Sequence, residues 1–256
     1  MSAQKVIFLN QKGGVGKTTT AVNLGAALAI KGRKVLLVDL DAQGNLTSSV
    51  SVDPRLPGTY EILVGDAQAI DCCQPTHINN LSAIASNINM AGLNVELVNQ
   101  EEREFFMKKT FASVEEAFDY IFVDCPPSLG LVTVNAMVWA DYVIIPMQCE
   151  YFAMEGLNLL MRTISNMKKS LNPNLKILGI VFTMYNKRQK LANDVVEDVT
   201  SYFRDLVFKT IIPRNVRLSE APSHGLPIFA YDISSKGAKA YANLGEEVMN
   251  RVAQAD

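Results

Sequence analysis

The stretch that most constrains this chain is residues 5–20, Lys-Val-Ile-Phe-Leu-Asn-Gln-Lys-Gly-Gly-Val-Gly-Lys-Thr-Thr-Thr. Val6–Leu9 is a short apolar run that predicts a buried strand. Gly13, Gly14 and Gly16 follow as a turn, and Ala21, Leu24 and Leu28 then repeat at helical spacing. Strand, glycine turn and helix together make a phosphate cradle. Glycines let backbone N–H groups converge on an anion without a Cβ in the way, and the helix N-terminus adds its positive end. In such a cradle Lys17 reaches the β- and γ-phosphates and the Thr18 hydroxyl ligates Mg²⁺.

The plain P-loop pattern, G-x-x-x-x-G-K-[ST], needs glycine where this chain has Gln11, and a second lysine, Lys12, precedes Lys17. Lys12–Thr19, Lys-Gly-Gly-Val-Gly-Lys-Thr-Thr, resembles the deviant Walker A motif of the ParA/MinD family of P-loop ATPases. The resemblance implies ATP and Mg²⁺ as cofactors, held by Lys12, Gly13, Gly14, Val15, Gly16, Lys17, Thr18 and Thr19. It also implies a homodimer with ATP, in which Lys12 reaches across to the nucleotide of the second copy. Lys12, Lys17 and Asp41 are the catalytic candidates.

Along the chain, apolar runs alternate with helical patterns. Strands are expected at Lys34–Asp39, Leu81–Ala85, Tyr120–Asp124, Tyr142–Pro146, Ile177–Phe182 and Val207–Ile212. Helices are expected at Tyr60–Val64, over a long stretch Leu93–Phe118, and at Leu131–Trp139, Met154–Leu171, Leu191–Phe203 and Lys236–Val252. Residues 46–58, rich in Ser, Thr, Pro and Gly, read as loop. The alternation predicts an α/β fold, a mostly parallel twisted sheet with helices on both faces, as a single domain over 1–256.

The candidate carboxylates fall at or just beyond strand ends, where open α/β sheets bind ligands. Asp124 closes an apolar strand and looks like a Walker B aspartate that holds Mg²⁺ through water; Thr18, Asp39 and Asp124 form the metal set. Pro126 and Pro127 stiffen the turn that follows. Asp39–Asn45, Asp-Leu-Asp-Ala-Gln-Gly-Asn, is similar to the family's Asp-x-Asp-Pro-Gln-Gly-Asn, with Ala42 in place of the proline. By that match Asp41 orients the attacking water and Asp39 supports the Mg²⁺ shell. The alternative for Asp41 is a turn-capping role.

Residues 212–228, Ile-Pro-Arg-Asn-Val-Arg-Leu-Ser-Glu-Ala-Pro-Ser-His-Gly-Leu-Pro-Ile, resemble a stretch of chromosomal, Soj-like ParA proteins, as do 124–131 and 148–156. The resemblance implies that Pro213 and Asn215 contact adenine, and that Arg188 and Arg217 bind DNA without sequence preference. Lys236 is a further DNA candidate from its charge and position. It implies a DNA-segregation ATPase, cytoplasmic and nucleoid-associated, whose ATP dimer binds nonspecific double-stranded DNA and is released on hydrolysis stimulated by a ParB-type centromere-binding partner.

Charge is uneven. The formal net is −2, but residues 162–217 carry 11 basic and 4 acidic residues, an excess of +7, which allows a basic face on an acidic protein. A MinD-like membrane-associated ATPase is the alternative; the tail Gly245–Asp256, with one basic and three acidic residues, argues against a basic amphipathic anchor. A reductase like the nitrogenase iron protein would need Cys125 and Cys149 as cluster ligands. The four cysteines show no metal spacing and read as reduced thiols, and His77 and His224 are isolated. No apolar run is long enough to span a bilayer, so no membrane partner is expected, and Lys5 directly before the first strand predicts no signal peptide.

Overall fold

The structure, a computed structural model, describes residues 2–255. Seven strands form one sheet: β1 (Gln4–Phe8), β2 (Val35–Asp39), β3 (Gln74–Pro75), β4 (Leu81–Ile84), β5 (Tyr120–Asp124), β6 (Tyr142–Gln148) and β7 (Lys176–Thr183). Their order is β3-β4-β2-β5-β1-β6-β7. Only β3 runs antiparallel to its neighbour. β2, β5, β1 and β6 are apolar almost without interruption, as strands covered on both faces must be. The expected doubly covered α/β sheet is therefore present, with a short antiparallel edge, β3, that its two residues do not announce in sequence.

Helices cover both faces. On one lie α1 (Lys17–Ile30) and α2 (Asn45–Ser49), joined later by α9 (Val216–Glu220), α10 (Ile228–Tyr231) and α11 (Lys236–Ala255). Their apolar residues meet Val6, Phe8, Leu37 and Phe122. Phe8 and Phe122 contact edge to face at 5.4 Å, a pair worth roughly 0.5–1.5 kcal/mol beyond its buried area. On the other face lie α3 (Thr59–Val64), α4 (Leu93–Leu97), α5 (Phe106–Thr110), α6 (Leu131–Trp139), α7 (Ala153–Ser170) and α8 (Lys190–Phe203), over Ile7, Leu36, Ile121 and Ile145.

Three expectations are corrected. The long helix over Leu93–Phe118 breaks into α4, α5 and two 3₁₀ turns. Residues 98–104, Val-Asn-Gln-Glu-Glu-Arg-Glu, offer no apolar stripe to bury, and Glu102 takes a left-handed backbone. Asn135 replaces the missing helical bonds, accepting from Met107 N at 3.0 Å and donating to Arg103 O at 2.7 Å.

The loop expected over 46–58 begins instead as α2, because the Asp39 carboxylate captures Thr47 N at 2.9 Å and Leu46 is buried. Val207–Ile212 is not a strand. Phe208 N and Ile212 N do bond β7, at 2.9 and 2.8 Å, but Lys209 N and Thr210 N between them go to the Glu247 carboxylate of α11. Among the described residues no helix is long and apolar enough to cross a membrane. Asp256 of the acidic tail lies outside the described residues.

Candidate active site

Everything at the site follows from the parallel register. Phe8 pairs with Asp124 and Asp39 pairs with Asp124, so the turn after β1, the loop after β2 and the end of β5 open on one side of the sheet. Gly14 and Gly16 have φ of +73° and +86°, which a Cβ would strain. No side chain caps α1 at Gly16, so its first N–H groups are left for an anion. Together these elements frame a cavity of 630 Å³. Gly13, Gly14, Gly16, Lys17, Thr18 and Thr19 line one side and Asp41 another.

Lys17 is buried, and burial pushes its ammonium pKa down, against the pull of Asp124, Cys125 and Asp41. Its Nζ donates to Lys12 O at 3.4 Å. Thr18 Oγ1 donates to Asp124 Oδ2 at 2.5 Å. Asp124 Oδ1 is buried with no partner. Burial, with Asp39 alongside, pushes the Asp124 carboxyl up to about 8. An orphaned buried carboxylate oxygen beside a hydroxyl is the donor set a hard divalent cation accepts. Among the described residues no group of three or more His, Cys, Asp or Glu could hold a metal ion, so a cation held by Thr18 and Asp124 would take the rest of its shell from water or phosphate oxygens.

Asp39 stands differently from the expected metal set. Its Oδ1 accepts from Asp41 N at 3.1 Å, and its Oδ2 accepts from Thr47 N at 2.9 Å and Thr47 Oγ1 at 2.7 Å. It is fully buried, does not line the cavity, and burial pushes its carboxyl up to about 6. Its donors tie it to organising the loop behind the site. Asp41 does line the cavity, while one of its oxygens accepts from Gln43 N at 3.0 Å. Ala42 is half-buried and packs against the core.

Lys12 turns away. It is exposed and forms an ion pair with Glu150 of the same chain, outside the 630 Å³ cavity. Val15 is buried, its carbonyl accepting from Thr183 Oγ1 at 2.7 Å. Pro213 and Asn215 do not line the cavity either. They flank it, because Pro213 pairs with Tyr185 and its neighbour Met184 is in the wall. Asn215 Oδ1 is buried without a partner, an acceptor waiting for a donor.

Met184, Ser48, Pro222 and Ser223 also line the cavity, and sequence reasoning missed them. Pro222 and Ser223 lie inside the 212–228 stretch that carried the resemblance. Met184 has no signal beyond following a strand, although its left-handed backbone, φ +51°, marks a constrained position.

Of the DNA candidates, Arg188 and Lys236 are exposed and, among the described residues, have no carboxylate partner. Arg217 is held by Glu220 at 2.9 Å and Asp232 at 3.5 Å. Cys125 is fully buried and its thiol pKa is pushed well up, chiefly by burial.

The family model described as an AAA domain matches residues 3–177. The chromosome-partitioning ATPase Soj of Treponema pallidum is 51% identical over 97% of this chain and 98% of that protein. Soj of Bacillus subtilis, described as a sporulation initiation inhibitor protein, is 51% identical over 95% of this chain and 97% of its own length. Among solved structures, one from Mycobacterium smegmatis, titled cobyrinic acid a,c-diamide synthase with bound ADP and magnesium, has a TM-score of 0.86 at 36% identity, covering 99% of this chain and 97% of that one. The full-length likeness at 51% outweighs the activity named at 36%, and with it the glycine turn and the Thr18–Asp124 pair fall into place: this chain belongs to the Soj/ParA family of chromosome-partitioning ATPases.

Proposed function

We propose that residues 2–255 act as one ATPase unit that segregates DNA. ATP with Mg²⁺ fills the cavity behind the glycine turn, two copies close on each other, and the dimer binds duplex DNA without sequence preference. A ParB-type partner stimulates hydrolysis and so releases the DNA, which gives the protein its place on the nucleoid. The observation that carries this reading is the Thr18–Asp124 pair with its orphaned Oδ1, next to Lys17 on an uncapped helix N-terminus.

The chain's residues divide the work. Backbone N–H groups of residues 13–19 and the Lys17 ammonium hold the β- and γ-phosphates in place, and positioning is most of what phosphoryl transfer asks of a protein. Thr18 and Asp124 hold Mg²⁺, which supplies neutralisation of phosphate charge when bound. Asp41, in the wall, orients the attacking water, which needs direction more than a strong base. Asn215 and Pro213 meet the adenine edge, Asn215 with both an acceptor and a donor. Lys12 leaves Glu150 and crosses to the nucleotide of the second copy. Arg188, Arg217 and Lys236 face phosphates of the DNA backbone, Arg217 by leaving its surface ion pairs with Glu220 and Asp232.

Size-exclusion chromatography with Mg²⁺ and ATP tests the scheme. The parent and Asp41→Ala should form dimers, the latter persistently, and Lys12→Ala should remain monomeric while still binding ATP. A stable ATP dimer of Lys12→Ala would sink the crossing role.

A further inference from the structure

Gln148 and Thr183 are register partners on the last rung between β6 and β7. Their side chains reach into the glycine turn. Gln148 Nε2 donates to Gly14 O at 3.1 Å, and Thr183 Oγ1 donates to Val15 O at 2.7 Å. Met147 O is farther from that hydroxyl, at 3.2 Å, so the single hydroxyl proton goes to Val15. The next carbonyl, Gly16 O, is taken by α1 itself, through Thr20 N at 2.9 Å and Thr20 Oγ1 at 2.7 Å. Three successive carbonyls thus each accept from the body of the fold.

The amides joined to those carbonyls show the reverse. Among the described residues, the N–H groups of Val15, Gly16 and Lys17 donate to no protein acceptor. A trans peptide is planar, with its C=O and N–H on opposite sides. Drawing Gly14 O and Val15 O to the end of the sheet therefore points Val15 N–H and Gly16 N–H away from it. Gly14 and Gly16 line the 630 Å³ cavity, whereas Gln148 and Thr183 stand outside its lining. Peptide units hinged on Gly14 and Gly16 rotate readily, so the aim of these amides must be supplied from elsewhere. Satisfying a carbonyl is not reason enough for Gln148, because Gly14 is exposed and water can reach its oxygen. The glutamine is itself braced, its Nε2 also meeting Met184 Sδ in the cavity wall.

We propose that Gln148 and Thr183 are positioning residues for the nucleotide: by holding the carbonyls of Gly14 and Val15 they aim the Val15 and Gly16 amides at its phosphates. The inference rests on the phosphate-cradle reading above and adds two residues from the far ends of other strands. Val15 takes its part in the site through its backbone alone, since its side chain is buried. Amides that converge in this way form a concave nest for an anion, and amides aimed in advance cost no reorganisation when the anion arrives.

The test is competition binding of ATP, ADP and adenosine against a fluorescent ATP analogue, with Mg²⁺, on the full chain. Thr183→Val keeps the shape and removes the hydroxyl; Gln148→Met keeps the length and removes the donor. Each should weaken ATP and ADP about tenfold, the loss of one hydrogen bond to a charged group. Adenosine, which carries no phosphate, should stay within about twofold of its parental affinity. Thr183→Ser should bind all three like the parent, and Gln148→Met combined with Thr183→Val should lose more than either alone. Gln148 ends β6 half-buried, so Gln148→Met decides the matter if Thr183→Val fails to fold.

Parental ATP and ADP affinity in the double variant, or in Gln148→Met where it stands alone, would overturn the aiming role. Equal losses for adenosine and the two nucleotides would make the pair structural and overturn it too, as would a Thr183→Ser as weak as Thr183→Val. Lys17→Ala separates this inference from the cradle. If Lys17→Ala alone loses ATP, the cradle stands and the aiming role falls; if it also binds ATP like the parent, the cradle falls with it.

Discussion

Thr18 Oγ1 and Asp124 Oδ2 lie 2.5 Å apart, joining the first turn of α1 to the end of β5 and leaving the other Asp124 oxygen buried and unpartnered. The sheet register builds this pair, since β1 and β5 are neighbours and their C-terminal ends are level. A hydroxyl and a half-satisfied carboxylate at an anion cradle are donors that a hard divalent cation takes.

That pair predicts a pH dependence. Burial first, then Asp39 beside it, raises the Asp124 carboxyl to about 8 in the metal-free protein, against an ordinary value near 4 when unfolded. A raised acid favours folding below its unfolded value, and that contribution is lost as pH climbs through its folded value. Melting in EDTA should therefore show stability falling between pH ~4 and ~8, with Asp124→Asn flattening the fall and melting a few degrees above its parent at the alkaline end. Mg²⁺ binding with nucleotide at pH 7 should also release protons, which calorimetry in buffers of different ionisation enthalpy reads directly. Parallel pH profiles for parent and Asp124→Asn would contradict this.

Lys17 and Thr18 should separate by metal. Lys17→Ala removes the buried cation under the phosphates and should cost ATP affinity at least about a hundredfold, since truncating a charged hydrogen-bonding partner costs several kcal/mol. Thr18→Ala should weaken binding only when Mg²⁺ is present. Equilibrium titration of a fluorescent ATP analogue with and without Mg²⁺ distinguishes them, and unchanged affinity in Lys17→Ala would remove the phosphate assignment.

Asn215 carries an orphaned acceptor, so its removal should act on ligand and fold in opposite directions. Asn215→Ala should lower ATP affinity about tenfold, equivalent to one hydrogen bond of about 1.4 kcal/mol, while leaving the melting temperature of the apo protein unchanged or slightly raised. A large drop in apo stability with ATP affinity intact would make the residue structural.

Much of this site was legible because it is local. Gly13 to Thr18 lie within one turn of chain, and Asp124 closes an apolar run, so local pattern and the resemblance it carries pointed to both. The fold class and the mostly parallel sheet both followed from the alternation of strands with helices. What stayed hidden is contributed by distant chain. Met184, Ser48 and Pro222 reach the cavity only after the sheet and α2 are assembled, and no local pattern reports that.

The engagement of Asp39 depends on Thr47, and the compensation of Arg217 on Asp232, a residue beyond its own helix. Leu93–Phe118 misled because scattered apolar residues mimic a helical stripe, whereas the charged run 98–104 interrupts it. Val207–Ile212 has strand composition, but Glu247 claims two of its amides.

DNA binding that depends on ATP is tested most simply with Asp41→Ala and a nonspecific duplex, in the presence of ATP and Mg²⁺, of ADP and Mg²⁺, and of no nucleotide. Binding is expected with ATP only, with log affinity falling linearly against log salt, because one subunit offers few phosphate contacts and the ATP dimer doubles them. Equal binding in all three states, or ATP-dependent partition onto phosphatidylglycerol vesicles with no affinity for the duplex, would contradict it.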